Sequence, residues 1–226
     1  PQEGHAMTSI LTNTGDIAQP WARRHLQKLL KPGMKACILA MSDFDNVKDQ
    51  ADWEKDYGPG GTWHAAYEKP LQSYGIRDIT WISPFRDTRT DMLQAIHDCD
   101  LLVLPGGAPD LFMKRIRRFG LKKAIREKNL LFGISSGAMI QLQDYHITPD
   151  DDYADFAWQT GLGLLSFDLE CHFTGNRHQR EHLERALEEK GLETWALYED
   201  GGLLVTDGIV TAMGRVERHS ANRTES

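Results

Sequence analysis

Apolar residues along this chain gather in short continuous runs. Residues 36–41 (Ala-Cys-Ile-Leu-Ala-Met), 79–82, 101–104 and 130–134 are of strand length and lack the alternation of a half-exposed strand. Such runs predict strands covered on both faces, the mark of a parallel sheet. After an extended start at 9–12, segments of helix length separate them. One is 21–30, where Trp21, Leu26, Leu29 and Leu30 fall near helical spacing ahead of Pro32-Gly33. Others are 63–74, 90–98, and a stretch from Pro109 toward Lys128 that breaks at Gly120. This alternation predicts repeated βαβ units. The last third differs: a strand through 169–173, a helix over 177–190 closed by Gly191, and strands 203–205 and 209–213 joined by Asp207-Gly208, a two-residue hairpin signal. The predicted class is α/β, a three-layer sandwich with a mostly parallel central sheet. Residues 7–218 are expected to form a single domain, with residues 1–6 an addition ahead of a natural start at Met7.

Composition narrows the function classes. The 226 residues carry 26 Lys+Arg against 33 Asp+Glu, a formal charge of -7, which repels a phosphate backbone. Nucleic acid is not an expected partner. No run approaches the roughly 20 apolar residues that span a bilayer, so no membrane partner is expected either. Cys37, Cys99 and Cys171 are an odd number without metal-type spacing and suit a reducing cytoplasm.

The chemistry concentrates at Gly133-Ile134-Ser135-Ser136-Gly137, a G-x-S-x-G between a buried strand and a helix-forming segment. A serine on such a sharp turn projects its hydroxyl from the sheet, the glycines relieve crowding, and the helix start supplies N–H groups. Ser135 is the expected nucleophile, and the Ser136 N–H an oxyanion donor. Pro105-Gly106-Gly107-Ala108, after another buried strand, offers Gly106 or Gly107 as the second donor. A plain Ser/Gly turn capping a helix is the alternative.

Among nine histidines, His172 ends an apolar-rich stretch at 167–173 and is the expected base. His178 and His182 stand four apart on a polar helix, without an apparent third metal ligand. His97 and His146 lie near segment ends with nothing to pair them to the elbow. Glu199-Asp200 supplies two adjacent carboxylates at an expected turn, one of which would orient the base. Composition leaves open which.

These residues resemble a known family. Gly133-Ile134-Ser135-Ser136-Gly137-Ala138 is similar to the G-x-S-A-G-A of peptidase E and cyanophycinase, serine hydrolases on a fold like that of class I glutamine amidotransferases (flavodoxin-like). His172-Phe173-Thr174 resembles their H-F-T, Arg177-His178-Gln179-Arg180 their T-R-E-Q-R, and Glu199-Asp200-Gly201-Gly202-Leu203 their acid-Gly turn. The resemblance runs from about residue 101 to 210. It implies a serine peptidase of short peptides, cleaving after an N-terminal Asp, with Ser135, His172 and Asp200 as triad and Glu199 second for the acid. It further implies oxyanion donors at Gly107 and Ser136, Arg177 against a substrate carboxylate, and Asp150 for the substrate's amine. Three departures stand out: Ser136 replaces Ala, Pro105-Gly106-Gly107-Ala108 stands where aspartyl dipeptidases have Gly-Gly-Gly-Asn, and Asp150 has acidic neighbours at Asp151 and Asp152. A cyanophycinase-like isopeptidase or other amidase, and a non-catalytic binding module, are the rival readings. No cofactor or metal is expected. The expected partner is a small peptide, and a homodimer is compatible with the sequence.

Overall fold

The computed structural model describes residues 7–221, so the reading of residues 1–6 lies outside the described residues. In chain order the elements are β1 (Thr8–Thr12), α1 (Pro20–Leu26), β2 (Lys35–Leu39), α2 (Gln50–Tyr57), α3 (His64–Gln72), β3 (Asp78–Ile82), α4 (Arg89–Asp98), β4 (Leu101–Leu104) and α5 (Pro109–Arg118). There follow α6 (Lys122–Arg126), β5 (Leu130–Ile134), α7 (Ser136–Met139), β6 (Asp144–Ile147), β7 (Ala157–Thr160), β8 (Asp168–Glu170), α8 (Arg177–Lys190), β9 (Thr194–Thr206) and β10 (Ile209–His219).

The apolar runs form the centre of an eight-stranded sheet of order β10-β9-β1-β5-β4-β2-β3, with β8 against β9. Strands β1, β5, β4, β2 and β3 are parallel, whereas β9 runs antiparallel to β1. Because side chains alternate along a strand, each run feeds both faces. Cys37, Leu39, Leu102, Leu104 and Leu131 pack with Met92, Ile96, Phe112 and Ile116 of α4 and α5. Ala36, Ile38, Leu101, Val103 and Phe132 pack with Leu26, Trp53, Tyr57 and Leu71 of α1, α2 and α3. Three layers result, with the carboxyl ends of the parallel strands on one rim. This is the flavodoxin-like, class I glutamine amidotransferase-like arrangement. No helix among the described residues is long and apolar enough to cross a membrane.

Strands β6 and β7 were not expected, and the structure departs from the expected elements at four further places. Helix α1 stops at Leu26, whose carbonyl accepts from both Leu29 and Leu30 N–H, so the last apolar pair lies in a turn. Helix α2 was not expected; Asp49 caps it by accepting from Asp52 N–H at 2.8 Å. The strand expected over 169–173 ends at Glu170, because His172 turns to φ +51°. Glu199 and Asp200 lie within the continuous strand β9 rather than at a turn. Leu197 pairs with Val216 and Gly201 with Gly214, so Tyr198, Glu199 and Asp200 bulge opposite Arg215 alone.

A small sheet of β6 and β7 docks on the main one through a buried charge cluster. His146 contacts Asp168 Oδ2 through Nδ1 and Glu170 Oε2 through Nε2, both at 2.5 Å, and Thr148 Oγ1 donates to the same Glu170 oxygen at 2.7 Å. Burial alone would lower the ring's pKa. The two carboxylates outweigh it and raise the pKa to about 10, so the ring is an imidazolium that donates to both. His146→Leu, which leaves two buried carboxylates without their cation, is expected to destabilise the protein by about 3–5 kcal/mol in urea unfolding. The raised pKa makes this contribution complete below about 6.5 and lost as pH climbs through about 10. The wild type should therefore show an alkaline loss of stability that the variant lacks; an unchanged midpoint would count against the cluster.

Candidate active site

Ser135 sits between the end of β5 and the start of α7 at φ 53°, ψ −113°, outside the regions an L-residue adopts without strain. The neighbouring glycines make the turn sterically feasible. A Cβ on Gly137 would stand 1.8 Å from the Leu104 carbonyl oxygen, and one on Gly133 would stand 2.4 Å from that of Gly137. The Ser135 N–H donates to the Thr12 carbonyl at 2.7 Å, which anchors the turn to β1.

Across from it, Ser135 Oγ lies 2.8 Å from His172 Nε2, and His172 Nδ1 lies 2.6 Å from Glu199 Oε1. With the proton on Nδ1, the ring donates to Glu199 and accepts from the serine. Both His172 and Glu199 are about half exposed, so solvent screens this pair. The expectation that Asp200 partners His172 is corrected by this geometry: the bulge of β9 presents Glu199. Asp200 is exposed and has no side-chain hydrogen bond among the described residues.

His172 is held by Asn13, which the sequence did not single out, and by Gln179 of the motif that begins at Arg177. Asn13, buried just beyond β1, accepts the His172 N–H at 2.9 Å and donates to the Leu197 carbonyl at 2.7 Å. Gln179, near the start of α8, donates to the His172 carbonyl at 2.8 Å. The position of Asn13 at the carboxyl end of a parallel strand is the one sequence signal that could have marked it.

Gly107 and Ser136 stand on the two loops that meet at Ser135. Gly107 has φ +145°, and a Cβ there would be 2.1 Å from the Ser42 carbonyl oxygen, so only glycine fits. Ser136 Oγ donates to the Gly107 carbonyl at 2.5 Å and ties the loops together. The hydroxyl in place of alanine is thus a structural tether. The Gly106 N–H is engaged with Tyr67 Oη at 3.2 Å, whereas the N–H groups of Gly107 and Ser136 have no acceptor among the described residues. Two unengaged donors beside a nucleophile are what an oxyanion requires.

Two cavities meet at Ser135, Gly107 and His172. One, of about 200 Å³, is lined by Ser136, His146, Thr148, Asp150, Tyr153 and Glu170 among others. His146, unconnected to the elbow in the sequence, thus borders the site. The other, about 500 Å³, is walled by Phe44, Tyr57, Trp63 and Tyr67 and holds Asp43 and Asp56. A larger hollow of about 750 Å³ lies at the opposite rim, near Met34, Cys99 and Lys128, away from the strands' carboxyl ends.

The remaining expected residues divide. Asp150 lines the smaller cavity, where its Oδ1 accepts from Asp152 and Tyr153 N–H at 2.8 Å each and shapes its own loop. Arg177 is not brought to the site: its side chain is 92% exposed and Nε donates to Glu181 at 2.6 Å along α8. As the first residue of a helix that leads away from His172, it lines neither cavity. His178 Nε2 donates to the Pro149 carbonyl at 2.7 Å, and His182 Nδ1 to the His178 carbonyl at 2.8 Å. Burial, and next the nearby Glu170, push the Cys171 thiol up and keep it protonated, so it is not a reactive thiolate.

Comparison with curated proteins finds no match. Among solved structures the fold is similar to that of a protein designated peptidase E from Listeria monocytogenes EGD-e, with TM-score 0.68 and 15% identity over 93% of this chain and 99% of that one. It is also similar to a peptidase from an acI-B1 Actinobacterium, with TM-score 0.65 and 15% identity over 98% and 93%. At that identity the likeness speaks for the fold. The family model for peptidase family S51 matches residues 61–212, more than half of the chain and the part that carries the elbow, His172 and Glu199. The chain therefore belongs to peptidase family S51 and is a serine peptidase.

Proposed function

We propose that the protein hydrolyses short peptides through Ser135, His172 and Glu199. The observation that carries this reading is the continuous line of hydrogen bonds from Ser135 Oγ through both ring nitrogens of His172 to Glu199, at 2.8 and 2.6 Å. Ser135 Oγ attacks the scissile carbonyl while Nε2 takes its proton, and Glu199 holds the ring's tautomer and stabilises the imidazolium. The backbone N–H groups of Gly107 and Ser136 receive the oxyanion. Nε2 then returns its proton to the leaving amine, and water releases the acyl group by the same steps in reverse.

Two cavities of about 200 and 500 Å³ that share Ser135 suit the two residues of a dipeptide or a similarly short substrate. Asp150, on the rim of the smaller cavity, is suited to a substrate amine. Preference for an N-terminal Asp, which the resemblance implies, would require a cation facing its carboxylate. Arg177 does not supply one, and neither cavity is lined by Lys or Arg.

Hydrolysis of a dipeptide panel with Asp, Glu, Asn, Lys or Leu leading tests the assignment. Ser135→Ala is expected to lower kcat by roughly 10³-fold or more, and Glu199→Gln by about 10²–10⁴-fold. Asp200→Asn and Arg177→Ala should both stay within about threefold of wild type, as surface changes do. A loss in Asp200→Asn as deep as in Glu199→Gln would overturn the choice of acid, and turnover that survives Ser135→Ala would overturn the nucleophile.

A further inference from the structure

Beyond β2 the chain runs out over the carboxyl rim, where several of its backbone carbonyls are held. The Ser42 carbonyl accepts the Ala108 N–H at 2.8 Å, and Ser42 Oγ donates to the Gly106 carbonyl at 2.6 Å. Arg115 Nη1 donates to the carbonyls of Met41 and Asp43 at 2.8 and 2.7 Å. These contacts fix Asp43 beside the turn that holds Gly107, yet none of them reaches its carboxylate. Asp43 is only 4% exposed, lines the 500 Å³ cavity, and has no hydrogen-bond partner for Oδ2 among the described residues. A buried acid without a donor is costly, and such a group beside a reacting centre calls for an explanation, a ligand that satisfies it among them.

The surroundings say what would satisfy it. Tyr57 and Tyr67, with ring centroids 6.4 Å apart, form part of the wall, Phe44 adds a third ring, and Trp63, half exposed, stands in the same lining. Aromatic faces attract cations and accept the methylenes of a long side chain. Asp56 adds a second carboxylate, and no Lys or Arg lines the space. An acidic substrate residue would meet like charge here, and an apolar one would leave Asp43 unpaired. Ser135, His172 and Gly107 line the same cavity, so whatever enters it lies beside the reacting carbonyl.

We propose that this cavity selects its substrate residue for a cationic side chain, lysine- or arginine-like, whose charged head reaches Asp43 while its stem lies against Phe44, Tyr57, Trp63 and Tyr67. The selection rests on the reading of Ser135 as nucleophile. Burial pushes the Asp43 carboxyl up to about 7, against the pull of Arg115 and with a further push from Asp56. The groups that face it are Arg115 on α5, Asp56 and Tyr57 on α2 and Tyr67 on α3, and ionisation near neutral pH switches the recognition on.

Two measurements separate this proposal from the mechanism beneath it. In the first, kcat/KM is compared for substrates with Lys, norleucine or Asp on the acyl side and, separately, on the leaving side. At one of the two positions Lys should exceed norleucine by about 10–10³-fold, the range expected when a buried polar group is left unpaired. Asp43→Asn should abolish that ratio, while labelling of Ser135 by a fluorophosphonate reports that the variant is folded. The wild-type ratio should also grow as pH rises through about 7. Equal turnover of Lys and norleucine at both positions, or a ratio that survives Asp43→Asn, overturns the proposal. The second measurement needs no catalysis: calorimetric titration of Ser135→Ala with n-hexylammonium and with n-hexanol. Binding of the amine at least tenfold tighter, and loss of that margin in Ser135→Ala/Asp43→Asn, supports the cavity's role even if no peptide is turned over. Equal binding of the two probes overturns it whatever the fate of the triad.

Discussion

The backbone of Ser135 is the constraint on which the site depends. Its conformation costs roughly 1–3 kcal/mol and survives only where the surroundings permit nothing else. Here they act by exclusion. The Leu104 carbonyl occupies the place where a Gly137 side chain would be, and α7 presses on Gly133 in the same manner. Strand β4 therefore lies directly against the first turn of α7. The chain leaving β4, Pro105 to Ala108, is carried up to the nucleophile by that contact. One strained residue and two absent side chains thus bring the hydroxyl, the Ser136 N–H and the Gly107 N–H into one place.

His172 is brought to Ser135 by a second turn with positive φ. Its backbone is clasped at the N–H by Asn13 and at the carbonyl by Gln179. Asn13 matters beyond that single bond, because its amide also holds the Leu197 carbonyl two residues before Glu199. A single buried side chain at the end of β1 therefore holds both the loop of His172 and the strand of Glu199. Strand β1 pairs in turn with β5, which carries Ser135. Three segments far apart in sequence share one ladder.

What was legible in the sequence follows from how local each cause is. The central strands and the elbow were legible because a continuous apolar run, or a glycine on either side of a serine, is its own signal. The β-bulge was not: whether Glu199 or Asp200 reaches His172 depends on Arg215 standing alone opposite three residues of β9, a fact about pairing with another strand. Asn13, His146 and Asp43 were missed for the same reason. Each is a single polar residue whose meaning comes from a partner, or from the lack of one, supplied by a distant part of the chain. Arg177 was expected against a substrate carboxylate from its resemblance to a family motif, but the helix that begins there turns its first residue to solvent.

The buried acids on this rim, Asp168 with Glu170 and Asp43, differ in what surrounds them rather than in how deeply they are buried. Asp168 and Glu170 have lost their water but regain it in kind from His146 and Thr148, so they hold β6 to β8 and ask nothing of a ligand. Asp43 has lost its water too, and its nearest cation is turned to backbone carbonyls instead. Its desolvation occurs when the chain folds, not when a ligand arrives. An incoming cation then gives up only its own hydration and meets a carboxylate in a low-dielectric space, where the attraction is stronger than at the surface. A neutral ligand of the same shape gains only the aromatic contact. The charge discrimination of the cavity is therefore set by what the fold withholds from Asp43.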